Sequence, residues 1–260
     1  MKVHTTQTTT LGFLLGKVLS LVLIGITLGF VNQSRAEESA QQALIDAGRL
    51  ASEGKYEEAL EKQVWIHDHS LQVEPGFYGV RLSFALSAWA ELGKKYPKAL
   101  EKLKEVRDQK TTRLNKGEED RELFQDVQSI NHYLNERPAT VALFKQLEAA
   151  NPDFAAKVYR RAEADLVEAK EYRLAKKYIG DPTKRLARAE DLFRMANEHS
   201  KTSAVPEPSR RAGEHNFTEE VVRILTILRE TGDSAAAKSI QAQALKTLDN
   251  EAIRKALEEK

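Results

Sequence analysis

The chain has no cysteine in 260 residues. That excludes disulfides, thiolate metal sites and cysteine nucleophiles at a stroke. Its formal net charge is only +1, so it lacks the basic surplus that marks most nucleic-acid binders, and no nucleic-acid partner is expected. Tryptophan is scarce, with two residues. No useful stretch alternates Val, Ile and Thr in the manner of a strand. There is no glycine-rich phosphate loop, no serine nucleophile elbow, and no regular carboxylate pair near a histidine. The sequence therefore offers no positive sign of catalysis, of a cofactor or of a metal site.

Helix formers fill the space these absences leave. Charged residues make up 30% of the chain, and Ala, Glu, Lys, Leu and Arg dominate, which favours helix over sheet. The clearest stretch is Ala43 to Leu60. Leu44, Ala47, Leu50 and Ala51 form one apolar face of a helix. Gly54 accepts the left-handed conformation that ends it. A second periodic run follows, with Tyr56, Ala59, Leu60, Val64 and Ile66. The short turn makes the two helices antiparallel, and the small Ala59 lets them approach closely.

The device recurs. Gly93, Tyr96, Ala99 and Leu100 repeat Gly54, Tyr56, Ala59 and Leu60 with one extra residue. Tyr172 and Ala175 keep the Tyr-x-x-Ala core. Gly232 and Ala237 keep the glycine and the small residue without the tyrosine. A weaker copy spans Asn135 to Pro152, with Phe144 inside it and Asn151-Pro152 closing it. On these residues the chain resembles the tetratricopeptide repeat family, in patches between 40 and 246. The first-helix Trp and Leu-Gly signature of that family is not clean, and the period is irregular. The resemblance implies an all-α fold of antiparallel helical hairpins stacked into a superhelix, with a groove for a partner peptide or helix.

Four regions are expected. Residues 1–36 read as a signal peptide. Lys2 and Lys17 precede the apolar run Val18 to Val31, which is short for a membrane span. Ser34 and Ala36 are the small residues a signal peptidase reads, with the cut after Ala36. The domain is then periplasmic or secreted, in the style of a bacterial envelope protein. The alternative is an uncleaved anchor in the inner membrane, the only membrane contact expected, with the domain still outside the cytoplasm. Residues 37–199 form the repeat domain, 200–216 a linker or surface loop rich in Pro and polar residues, and 217–260 a C-terminal hairpin with a capping helix. Within the repeats, Gln109 to Gly117 reads as a loop. Charge is uneven: residues 37–80 carry nine acids and three bases, whereas 157–194 carry eleven bases and seven acids. Two solvated faces explain this, or two ends that attract each other between copies.

Candidate residues are few. His67, Asp68 and His69 catch the eye, but residues two apart on a helix point roughly 160° away from each other and cannot share a metal. They read as helix-surface histidines beside a core Trp65. A metal site from His69, Glu74 and His132 is a remote alternative. Arg81 lies in the otherwise apolar helix 77–92, where Val80, Phe84, Leu86 and Ala88 read as mostly buried. An arginine there needs a partner, expected from an acid of the first hairpin, or else it faces the groove to hold a carboxylate. Trp65, Tyr78, Trp89, Tyr96 and Tyr172 read as core, with the groove wall as the alternative, and Arg81, Trp89 and Tyr78 are the candidate partner-binding residues. Lys94, Lys98 and Lys102, interleaved with Glu101 and Glu105, read as a solvated stripe. The function these features favour is a protein-interaction scaffold. The alternatives are an envelope enzyme or small-ligand protein with a site around Trp65, His69 and Arg81, and a self-associating oligomer.

Overall fold

A computed structural model describes residues 39–202 and 206–258. The protein is all-α, and no strand occurs among the described residues. The expected signal peptide and its cut after Ala36 lie outside them. The helices, in order, are α1 (Ala40–Ser52), α2 (Tyr56–Val73), α3 (Tyr78–Val80), α4 (Leu86–Lys95), α5 (Pro97–Asn115), α6 (Arg121–Tyr133), α7 (Arg137–Ala150), α8 (Pro152–Glu168), α9 (Tyr172–Tyr178), α10 (Pro182–Thr202), α11 (Pro206–Glu230), α12 (Ser234–Thr247) and α13 (Glu251–Lys255). A 3-10 turn, Pro75–Phe77, precedes α3, and a π-helical turn, Arg81–Ala85, joins α3 to α4.

Neighbours in sequence are neighbours in space: α1 packs on α2, α4 on α5, α6 on α7, α8 on α9 and α11 on α12. Between pairs, α5 meets α6, α7 meets α8 and α9 meets α11. Helix starts are set by side-chain caps. Ser39, Asp120 and Asn151 accept hydrogen bonds from the first turns of α1, α6 and α8, as Asp181 does for α10.

The same helix end recurs along the chain. Gly54, Asn135, Lys170 and Gly232 have φ of 79°, 57°, 59° and 78°. After each, the next backbone N–H turns back to a carbonyl five positions earlier: Lys55 to Leu50, Glu136 to Asn131, Glu171 to Leu166, and Asp233 to Leu228, at 2.8–2.9 Å. Five residues beyond each left-handed residue stands a small, fully enclosed side chain: Ala59, Thr140, Ala175 or Ala237. Each stands on the second helix of a pair, which packs back on the first. Tyr56 and Tyr96, the turn tyrosines of the first two pairs, stack with ring centroids 6.0 Å apart, and the Tyr96 hydroxyl donates to Glu57.

Four expectations are corrected. Residues 200–202 and 206–216, expected as linker or surface loop, are helical: α10 runs to Thr202 and α11 begins at Pro206. Pro206 and Pro208 fall in the first turn of α11, where a missing N–H costs nothing. Gly213 lies inside the helix because a Cβ there would stand 2.9 Å from the Ala196 Cβ of α10. The stretch 109–117 is mostly helix. α5 continues to Asn115 because Leu103, Val106 and Leu114 extend its buried stripe, and the turn waits for Gly117, with φ of 94°. Gly93 is not a turn glycine. It lies within α4, where a Cβ would meet the Leu100 Cβ at 3.0 Å and its backbone at 3.2 Å, so it serves the close crossing of α4 on α5. Phe84, expected inside, is 72% exposed. The π-helical turn takes up an additional residue and rotates the face, so that Leu82 and Ala85 point inward instead, beside Leu86, which is buried as expected.

Candidate functional site

The polar centre of the first half is built on Arg81. Its side chain is buried, and its partner comes from α6 rather than from the first hairpin. Arg81 Nη2 donates to Asp126 Oδ1 at 2.5 Å and Nη1 donates to Oδ2 at 3.3 Å. Lys110 of α5 donates to the same Oδ2 at 2.6 Å. Burial pushes the Asp126 carboxyl up, but the hydrogen bonds and charges of Arg81 and Lys110 more than reverse this and hold it below the usual carboxylate range. The π-helical turn begins at Arg81 and delivers this guanidinium between α2 and α6.

His67 closes the cluster from α2. It is buried rather than on the helix surface, whereas Trp65 is only half-buried, the reverse of the expected pairing. The α2 face that turns inward toward α4 carries Gln63, His67 and Ser70, so a polar row replaces the usual apolar one. His67 Nδ1 lies 3.4 Å from Arg81 Nη1, which makes Nδ1 the acceptor and places the proton on Nε2. Nε2 has no hydrogen-bond partner, and Asp126 Oδ2 is 3.9 Å away. The ring meets Trp89 edge-on, with centroids 6.0 Å apart. Burial pushes the His67 imidazole down to about 3 from 6.5, and the pull of Asp126 does not restore it.

In front of this cluster, α3, α6 and α8 present one continuous polar face. Arg81 lies 5.8 Å from the centroid of the Tyr78 ring. Tyr78 Oη donates to Gln125 Oε1 at 3.1 Å, and Arg161 Nε donates to the same oxygen at 2.7 Å. Gln125, Gln128 and His132 share one side of α6 at helical spacing, and Arg161 and Asp165 share one side of α8. Gln128, His132 and Asp165 line a hollow of about 290 Å³, together with Leu82 and Arg137 among others. Burial pushes the Asp165 carboxyl up, against the hydrogen bond from Gln128 and the charge of Arg137.

Of the candidate partner-binding residues, Tyr78 alone reaches this face. Arg81 stands behind it and is committed to Asp126. Trp89 is 1% exposed, with Nε1 donating to the Ala99 carbonyl at 2.9 Å, so it has no surface to offer a partner. Trp65 and His69 belong elsewhere, in a shallow hollow of about 730 Å³ between α2 and α5 with Lys98 and Lys102. They do not converge with Arg81. Lys94 and Lys102 pair with Glu91 and Glu105 on the surface, and Lys98 with Glu57. Among the described residues, no three His, Asp or Glu side chains converge to hold a metal ion.

A second buried charge centre lies on α8, α10 and α11. Glu163 is fully buried. It accepts from Arg185 Nη1 at 2.6 Å, from Arg160 Nη1 at 2.7 Å and from the Tyr159 hydroxyl at 2.6 Å. Glu220 accepts from Arg160 at 3.0 Å and from Arg185 at 2.6 Å. Neither Asp126 nor Glu163 was singled out from the sequence, although the signal exists. Each is an acid within an apolar helical face, between Leu123 and Ile130 in α6 and between Tyr159 and Leu166 in α8. Comparison with protein-family models and with curated proteins found no match for this chain.

Proposed function

We propose that the chain is an exported tetratricopeptide-like scaffold that holds an extended segment of a partner protein along the face formed by α3, α6 and α8. The observation that carries this reading is the bridged row Tyr78–Gln125–Arg161, three side chains from three helices on one face. Donors and acceptors spaced across neighbouring helices suit a main chain lying over them. The recurring left-handed turn with its enclosed small residue supports the repeat reading, and the buried Arg81–Asp126 pair gives the face a fixed backing.

The test is photocrosslinking in cells with a crosslinker at Gln128, compared with one at Lys255 on the far terminal helix. A discrete protein adduct from Gln128 alone, lost on Arg161→Glu, is the expected outcome. Equal labelling from both positions, or an adduct indifferent to Arg161→Glu, would sink the reading.

A further inference from the structure

A larger hollow lies away from that face, where α10 packs on α11 beside Ile179. It measures about 800 Å³, inside the ~300–1,000 Å³ typical of small-ligand sites. Its floor is apolar: Ile179, Ala189, Phe193 and Phe217, the two phenylalanine rings lying 5.2 Å apart. Leu192 lines it, and Met195 stands one helical turn on from Leu192. They are 57% and 65% exposed, so the apolar surface runs out of the hollow along α10.

One end is charged. Arg160, Arg185 and Arg223 are matched by three carboxylates, Glu163, Glu219 and Glu220. Arg188 lies on the rim, is exposed, and has no hydrogen-bond or ion-pair partner among the described residues. An exposed apolar track leading to an unpaired arginine is complementary to one kind of molecule. We infer that this hollow binds an amphiphile with a single apolar chain and an anionic head group, the chain lying over Phe193 and Phe217 and the head against Arg188.

The probe is dodecanoate, below its micelle threshold, titrated into the full mature chain by calorimetry, with amide NMR to locate it. One molecule should bind, shifting the amides of Ala189, Ala196 and Gly213 and leaving that of Gly54 unmoved. Arg188→Glu removes an exposed side chain that has no hydrogen-bond or ion-pair partner among the described residues, so the variant should melt as the parent does. It should weaken binding about tenfold or more, as expected for a lost charge-assisted hydrogen bond. Leu192→Asp should weaken binding comparably, and dodecyltrimethylammonium should bind far more weakly than dodecanoate. No binding, equal binding of the cationic analogue, shifts spread over the whole chain, or indifference to Arg188→Glu would each overturn the inference. A hollow that received only a helix of a partner protein would give the first of these results.

Discussion

Lowering the pH from about 7 to about 5 isolates one side chain of this fold. His67 is buried against Trp89 and beside the Arg81 guanidinium, and its folded pKa lies at about 3, against 6.5 for the ordinary group. The other described histidines are exposed. With the folded value depressed, the unfolded chain takes up a proton below pH 6.5 while the native chain refuses it. Stability is therefore complete above that pH and falls as the pH drops, until the folded group itself protonates near 3. Each pH unit inside the window is worth about 1.4 kcal/mol, so the loss between about pH 7 and pH 5 comes to about 2 kcal/mol. Urea unfolding at a series of pH values reads this directly. His67→Gln keeps an acceptor for Arg81 and cannot titrate, so its stability should be nearly flat over the same range. A parent protein with no slope there, or a variant with the same slope, would refute the placement of a neutral histidine in this core.

Three further outcomes follow from particular contacts. Asp126→Asn leaves Arg81 and Lys110 buried without their counter-charge and should cost about 3–5 kcal/mol in chemical denaturation; a loss under about 1 kcal/mol would mean that the cluster is hydrated and open. Lys170→Gly relieves a left-handed lysine, φ 59°, whose exposed side chain makes no contact. It should raise the thermal midpoint, by about 0.5–1 kcal/mol in stability. Gly213→Ala forces a Cβ to 2.9 Å from that of Ala196 and should destabilise by about 1–3 kcal/mol. An unchanged melt would mean that α10 and α11 do not pack there.

The parts legible in the sequence are those where local chemistry and tertiary packing agree. Gly54 and Ala59 announce a turn and a close approach together, and both are present. Asn135 and Lys170 make the same turn without glycine, because the helices on either side hold them in it, so composition gives little warning. The segment containing Pro206, Pro208 and Gly213 reads as irregular, yet its prolines fall where a helix tolerates them and its glycine answers to a neighbouring helix. Phe84 shows the opposite case. Its periodicity is helical, but the π-helical turn that seats Arg81 shifts the phase by one position. Arg81 itself was legible as a residue in need of an acid. Which acid depended on α5 and α6 folding back over the first hairpins, information that no local window of sequence contains. The polar face of α3, α6 and α8 was invisible for the same reason, since its members lie on separate helices.

Helices that pack mainly on their sequence neighbours have a kinetic corollary. Each pair closes over a short loop, so little chain entropy is spent before the first contacts are made, and such topologies fold fast for their length. Stability is then carried by interfaces in series rather than by a single shared nucleus. Opening one interface exposes amides next to it while distant pairs remain protected. Amide exchange in this protein should therefore be graded along the chain, slowest where Asp126 ties the π-helical turn and α5 to α6 and where Glu163 ties α8 to α10.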